Sequence, residues 1–422
     1  MGIPRTAIYI MRIPEQTKGM SSMTSSTTSP SGSHNSSAGA SGVPLLPVAP
    51  LSQLQGRTSA KWRDFPNDVL PLPVAEMDYE IALPIREKLI QLILQSDTGY
   101  LGAMPELADS LAHFTKNRWG WEIDTESVFT ATDVGVGMVE MGRMILQPGD
   151  GVVLNTPVYH NIGNWIDELK CRRVDAPLKR DGLHYTLDFD AIEKAYASGA
   201  KAHFLCNPAN PVGTVFTREE LSTLAELAKK YNVVIFSDEI HAPLVYDHTS
   251  FVPFLSVSDT AREVGFCVTS ASKSWNLAGL KCAEVITPSK RFTDIAKAMP
   301  PAVHWRASLI GAVAASVAFR STDWLDSAIA TNDRNRRYLK ELLDTHLPAV
   351  GYRIPDCSYL AWLDLTALNL GANPTERLLK EAKVAFNSGA SFAADHDQFV
   401  RLNFATSPEI LEEAVRRIAS IA

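Results

Sequence analysis

Cysteine is scarce in this chain: five residues in 422, Cys171, Cys206, Cys267, Cys282 and Cys357. They form no Cys-x-x-Cys pair and their number is odd. That excludes a disulfide framework and a zinc ribbon, and points to a reducing, cytoplasmic setting. Positive charge is short as well. Forty basic residues against 47 acidic leave a net −7. With no basic stripe, neither nucleic acid nor an anionic membrane is expected as a partner. Long apolar runs are missing too. The longest candidate, Ser308 to Phe319, has 12 residues, short of the ~20 that a spanning helix needs. Flanked by Arg306 and Arg320, it reads as a buried helix of a soluble protein.

Charge of either sign is absent from Gly19 to Gly56, and 20 of the 30 residues in 21–50 are Ser, Thr, Gly or Pro. Such a stretch buries too little apolar surface to offset its ordering entropy, so residues 1–56 are expected to be a disordered extension. Arg and Ser with few acids loosely resemble a transit peptide, and Met20 or Met23 is an alternative start. Without the charges of the first 18 residues, the body from Arg57 carries −9.

That body holds ample core material, with 45% of the whole chain hydrophobic and only 21% charged. Residues 84–96, 105–119 and 217–231 have helical spacing, the last opened by a Thr217/Glu220 capping box. Between helices come short β-branched runs, Val152–Asn155, His203–Cys206, Val233–Phe236, Phe266–Thr269 and Ala283–Ile286. Apolar on both faces and separated by helices, they predict an α/β domain with a buried parallel sheet from Thr98 to about Pro288. A charged helix over 323–343, strands at Tyr359–Leu365 and Phe399–Phe404, and a last helix from Pro408 predict a smaller α+β unit.

Open α/β sheets bind ligands at the carboxyl ends of their strands. Three predicted strands run into polar punctuation there: Asn207-Pro-Ala-Asn210-Pro-Val-Gly213, Ser237-Asp238-Glu239-Ile240-His241, and Ser270-Ala-Ser272-Lys273. Singly, these read as a proline-restricted turn, a loop cap, a core histidine and a solvated lysine. Together they place an amide, a carboxylate, an imidazole, two hydroxyls and an amine at one edge. A lysine that condenses with a carbonyl needs a desolvated, cationic setting. A carboxylate at a neighbouring strand end holds a heteroaromatic nitrogen protonated. Ser270, Ser272 and the turn Gly135-Val136-Gly137, read as opening a helix at Met138–Leu146, supply phosphate donors. Tyr159 could stack on a planar ring. The pattern describes a site for pyridoxal 5′-phosphate (PLP).

The motifs RTSAKW (57–62), LPLPVAEMDY (70–79), GY (99–100), NTPVY (155–159), LCNPANPVG (205–213), SDEIHAPLV (237–245), SASKSWNLAGLK (270–281), YLAWLD (359–364) and FVRLNFA (399–405) also resemble a known family. From Arg57 to Ile421 the chain resembles fold-type-I PLP enzymes of the class I/II aminotransferase superfamily, in their cystathionine β-lyase-like C–S lyase branch. The resemblance implies an α/β large domain over 98–300, a small domain over 301–422, and a segment over 57–97 that joins the small domain. It implies that Lys273 carries PLP and shuttles the proton, that Asp238 pairs with the ring nitrogen and that Asn210 bonds the phenolic oxygen. His241 takes a place where many aminotransferases have tyrosine. Ser270, Ser272 and the backbone of Val136 and Gly137 hold the phosphate, and Lys281 stands where relatives often carry arginine. Tyr159 stacks on the ring and Arg401 grips a substrate carboxylate. A homodimer with shared active sites would make Tyr100 a cross-subunit phosphate contact.

The implied reaction is β-elimination from L-cystathionine or another S-substituted L-cysteine, a small amino-acid substrate. The runner-up is an aminotransferase; a third reading is a regulatory PLP-fold protein. Branch members commonly read WVADMDF where this chain reads Pro73-Val-Ala-Glu76-Met-Asp78-Tyr79, a segment near the substrate in relatives.

Overall fold

The computed structural model describes residues 42–422. Seven strands form the large sheet: β1 (Val128–Ala131), β2 (Gly151–Leu154), β3 (Arg172–Asp175), β4 (Ala200–Cys206), β5 (Val234–Asp238), β6 (Gly265–Thr269) and β7 (Ala283–Ile286). Their order is β1-β7-β6-β5-β4-β2-β3. All five strand-like runs fall in this sheet. One expectation is corrected: β7 runs antiparallel to both its neighbours, β1 and β6. Only residues 270–282 connect β6 to β7, and they contain a single α-turn and a 3₁₀ turn. A parallel return runs back along the whole strand, usually through a full helix, and this connection has none. The strand β3, Arg-Arg-Val-Asp, lacks an apolar pattern because it is the exposed edge, where charge deters further pairing.

Helices α1 (Leu83–Leu94), α2 (Pro105–Trp119), α3 (Val134–Ile145), α4 (His160–Glu168) and α5 (Arg218–Tyr231) follow from local chemistry. Thr217 and Glu220 close a two-way capping box on α5, and Asn232 ends it in the left-handed region. Gly120 ends α2 in the same way at φ 65°. The two faces of the sheet are buried under separate cores. Val234, Phe236, Phe266 and Val268 pack on one side, Ile235, Cys267 and Ile286 on the other.

Beyond helix α6 (Leu309–Ala318), the 25-residue α7 (Thr322–His346) leads to an antiparallel sheet. Its strands are β8 (Gly351–Tyr352), β9 (Leu360–Asp364), β10 (Asn387–Ser388) and β11 (Phe399–Asn403), in the order β8-β9-β11-β10. The last helix, α8 (Pro408–Ala419), packs on α7. Leu70–Pro71 pairs in parallel with Val384–Ala385, which ties the segment before α1 to the C-terminal part of the chain.

The disorder expected up to Gly56 is corrected for its described end, while 1–41 lie outside the described residues. Leu54 is fully buried in the main core, Leu46 N–H donates to Thr331 Oγ1 at 2.8 Å, and Val48 bridges to Tyr79. Composition describes a segment's own content, and these leucines gain their burial from partners hundreds of residues away.

Candidate active site

Strand β5 ends at Asp238, and the turn after β4 carries Asn207 and Asn210. Lys273 lies on the single helical turn Ala271–Ser274 after β6, opened by Ser270 as its cap. Asp238 is buried and its Oδ1 accepts the Ile240 N–H at 3.1 Å. Desolvation lifts its carboxyl to about 6, opposed by that hydrogen bond and by the charge of Lys273. Lys273 Nζ donates to the Ala75 carbonyl at 3.0 Å. Desolvation and then the Arg401 charge push its ammonium down to about 8, while Glu76 and Asp238 act the other way. A lysine in that range gives up its proton near neutral pH.

Arg401, inside β11, brings the small sheet to this edge. Its guanidinium donates to Asn210 Oδ1 at 3.0 Å, to the Pro73 carbonyl at 3.0 Å and to Asn387 Oδ1 at 2.7 Å. Burial lowers it to about 10, and its Nε has no acceptor among the described residues. The β10–β11 register sets Asn387 opposite Arg401. His241 is buried, with Nδ1 and Ser358 Oγ 3.1 Å apart. Desolvation, then Lys273 and Arg401, push the imidazole down to about 3, so it is neutral at physiological pH.

At the other end of the cleft the expected donors move by two residues. Helix α3 begins at Val134, not Met138, so Gly135 and Gly137 lie inside its first turn. The Val136 N–H is taken by its cap, Asp133 Oδ1, at 2.9 Å, and the Gly137 N–H by the Asp133 carbonyl at 3.0 Å. The N–H groups left without an acceptor are those of Val134 and Gly135, as at any helix start. Gly135 is required for packing: a Cβ there would meet the Trp165 indole at 2.7 Å. The Ser270 hydroxyl donates to the Cys282 carbonyl at 2.6 Å and accepts the Ser272 N–H at 3.0 Å, so its hydrogen is already committed. The Ser272 side chain is half-buried and makes no hydrogen bond among the described residues. Lys281 Nζ, exposed, pairs with Asp133 Oδ2 at 3.1 Å. Tyr159 accepts from Asn161 Nδ2 at 2.6 Å; burial raises its hydroxyl, and the charges of Arg401, Asp238 and Asp133 all reach it. Tyr100 is not drawn into the set. It is 83% exposed, and its ring centroid lies 6.1 Å from that of Trp305.

The segment Pro73–Asp78 forms a strap beside Lys273, and every residue in it is held. Arg401 holds the Pro73 carbonyl, and Asn403 Nδ2 donates to the Val74 and Glu76 carbonyls, both at 2.6 Å. The Ala75 carbonyl accepts from Lys273 and from Tyr359 OH. The Asn276 amide clamps Met77 N–H and C=O at 2.8 Å each, and the Asp78 N–H reaches the Ala405 carbonyl. The motif pair AKW and EMD is explained here. Lys61 Nζ and Asp78 Oδ2 form a fully buried ion pair at 2.8 Å, and Trp62 Nε1 donates to Asp78 Oδ1 at 2.9 Å. Asn276, Tyr359, Asn403 and Asp78 sat within quoted motifs but carried no role in the sequence reading; Asn387 sat in none. A cavity of about 1700 Å³, bounded by Val43, Trp119, Tyr246 and Arg336 among others, is lined by none of these groups.

A family model, Aminotransferase class I and II, matches residues 67–418. A Mycobacterium tuberculosis relative is 39% identical over 397 residues, spanning 87% of this chain and 96% of its own. Corynebacterium glutamicum cystathionine beta-lyase is 35% identical over 374 residues, spanning 88% and 98%. The crystal structure of Treponema denticola cystalysin, which contains a pyridoxal 5′-phosphate cofactor, superimposes with a TM-score of 0.83 at 25% identity. That match covers 87% of this chain and 96% of cystalysin. With a match over 67–418 and the α/β sheet architecture described above, the chain belongs to the aminotransferase class I and II family.

Proposed function

We propose that this chain is a PLP-dependent carbon–sulfur β-lyase. It cleaves L-cystathionine or another S-substituted L-cysteine to a thiol, pyruvate and ammonia. The observation that carries the reading is the buried convergence of Lys273, Asp238, Asn210 and Arg401 from four separate elements, in a chain 35% identical to a cystathionine beta-lyase. The residues fit PLP. Among the described residues Asp238 is a buried carboxylate with no cationic hydrogen-bond partner, and the Val134 and Gly135 N–H groups that start α3 have no acceptor, with Lys281 paired to the helix cap Asp133. The Asn207 amide and Arg401 Nε are buried without partners.

PLP, when bound, supplies a protonated pyridine ring that takes up the electron pair left at the substrate Cα. Asp238 would keep the proton on the ring nitrogen by its charge. Asn210, fixed by Arg401, would donate to the phenolic oxygen through its amide NH₂. The N–H groups of Val134 and Gly135, with Ser272 and Lys281, would hold the phosphate, and Tyr159 would pack on the ring. Ser270 positions the turn that carries Lys273. Arg401 binds the substrate α-carboxylate, and its place among amide oxygens fixes the direction of its fork. Lys273 would hold the cofactor through its amine, and it would be the group that takes the substrate Cα proton. Its lowered basicity and its hold on the Ala75 carbonyl suit that step. His241 stays neutral and serves as a hydrogen-bonding neighbour, not a base.

The test is incubation of the holoenzyme with L-cystathionine alone. Pyruvate and homocysteine should appear together. Conversion of the cofactor to its amine form without pyruvate would overturn the lyase reading in favour of an aminotransferase.

We infer a homodimer as the active form. On α1, Leu83, Ile90, Ile93 and Leu94 are 52–80% exposed along one stripe, opposite the buried Ile85 and Leu92. The paired rings of Tyr100 and Trp305 are exposed as well. A patch of this kind marks an interface, and a second copy would explain why Tyr100 touches nothing of its own site. All five cysteines are free thiols, which supports a cytoplasmic location. Sedimentation at micromolar concentration checks the dimer; a monomer that retains full activity would overturn it.

A further inference from the structure

The strap Pro73–Asp78 holds two carboxylates in opposite circumstances. Asp78 is fully committed: Lys61, Trp62 and Arg57 all converge on it, and it is buried. Glu76, two residues earlier, has its backbone carbonyl fixed by Asn403 and Lys61, yet among the described residues its carboxylate has no hydrogen bond and no ion pair. It is half-buried, and its charge is felt at both Lys273 and Tyr359. It acts on Lys273 more strongly than Asp238 does. The main chain on either side is pinned at Ala75 and Met77, so Glu76 can adjust only through its own side-chain rotamers. The cations of the site are otherwise engaged. Arg401 lies among amide and carbonyl oxygens, and Lys281 is paired with Asp133.

An unpaired carboxylate on a rigid strap, close enough for its charge to reach Lys273 and Tyr359, can receive a cation. We propose that Glu76 is a specificity-determining residue that binds an ammonium group at the far end of the S-substituent, selecting thioether amino acids with a distal amine. The inference rests on the lyase reading and deepens it by naming the substrate class: S-substituted cysteines whose leaving thiol carries a positive charge. A charge-assisted contact of this kind corresponds to roughly 10- to 100-fold in selectivity.

The experiment compares two matched pairs on the PLP holoenzyme. The first pair is L-cystathionine and S-(3-carboxypropyl)-L-cysteine, which differ only in the distal amine. The ratio of their kcat/KM values should favour cystathionine by about 10-fold or more, and the difference should lie in KM. The second pair replaces sulfur by methylene: L,L-2,7-diaminosuberate and L-2-aminosuberate cannot eliminate, and their calorimetric dissociation constants should show the same preference. Glu76→Gln should bring both ratios toward one, and Glu76→Asp, which keeps the charge, should retain more of the preference than Glu76→Gln. The proposal is overturned if the wild-type enzyme does not distinguish the members of either pair, or if Glu76→Gln keeps the wild-type ratios. The wild-type comparison decides even where a variant fails to fold. Failure of every S-substituted cysteine to release pyruvate would remove the lyase reading, while the binding ratio still tests Glu76.

Discussion

Two groups of buried ionisable side chains meet at one edge of the large sheet, on opposite faces. On the cleft side are Asp238, Lys273, His241 and Arg401. Behind the sheet, in the face shared with Ile235 and Ile286, are Glu239, Cys267, Cys282 and Glu284. Asp238 and Glu239 are neighbours in sequence, and strand alternation sends them apart. Both groups have strongly displaced proton affinities: Asp238 rises to about 6, Glu239 to about 7 and Glu284 to about 8, each mainly by desolvation. Displacement alone therefore does not mark an active site. The company of each group separates them. Cleft residues come from four elements and carry opposite charges, whereas an unfilled polar atom is common to both groups: Arg401 Nε in front and Glu284 Oε2 behind. Glu239 is satisfied locally, by Ser237 Oγ at 2.9 Å and the Phe254 N–H at 2.8 Å, and no cation faces it. The rear group is neutralised by protons, the front group by other charges.

Substitutions on the two faces should sort accordingly. Lys273→Ala should give the largest effect. Loss of both the covalent hold on the cofactor and the proton carrier should lower kcat/KM by at least about 10⁴-fold. The visible absorbance of the holoenzyme should disappear with it. A variant that keeps the absorbance band would place the cofactor on another residue. Asp238→Asn comes next, with a loss of about 10²–10⁴-fold in kcat because an amide cannot hold the ring proton by charge. Its stability should not fall, since the change removes a carboxylate that is costly to bury. Glu239→Gln on the rear face, one residue on, should leave kcat within a few-fold. An equal loss from both would erase the distinction between the faces.

How much of this was legible beforehand follows the same line. Asn210, Asp238 and Lys273 could be read because each stands where a predicted strand stops, so local sequence carries its position. Arg401 was legible only through the family motif FVRLNFA, since an arginine inside a strand has no local mark of function. Asn387 was illegible: only the β10–β11 register brings it to Arg401. The start of helix α3 was placed at Met138 instead of Val134 because the glycines drew attention, while the Asp133 cap decides where it begins. The ordered run before Arg57 was misread for the opposite reason. Its low charge was visible, but the distant surfaces that receive Leu46 and Leu54 were not.

The Lys61–Asp78 pair is a third kind of buried charge, matched by neither a proton nor a ligand but by its counter-ion. Lys61→Met should destabilise the fold by about 3–5 kcal/mol, because buried Asp78 keeps only the Trp62 N–H and a distant Arg57, at 3.9 Å, against its charge. Urea titration measures this, and the strap that it anchors should loosen with it. Paired replacement of Lys61 by Met and Asp78 by Leu should recover much of the loss. Failure of that recovery would mean that the pair itself, not the avoidance of a lone charge, supports the strap.

The smallest effect belongs to the rear face and is visible only against pH. Glu284 has an ordinary value of 4.5 and rises to about 8 in the fold. Below 4.5 both folded and unfolded chains keep the proton, and the residue makes no pH-dependent contribution. Between 4.5 and 8 the unfolded chain releases it and the folded chain does not. Stability must therefore fall as pH rises, by about 1.4 kcal/mol per pH unit for this one group, and level off once the folded carboxyl ionises. Asp238 and Glu239 act in the same sense but cease near 6 and 7, so the interval from 7 to 8 isolates Glu284 among the three. Glu284→Gln should flatten that interval in a series of urea midpoints, with kcat barely changed. If instead the pH profile of kcat moved and the stability slope stayed, Glu284 would belong to the chemistry, and the division between the two faces would fail at its clearest point.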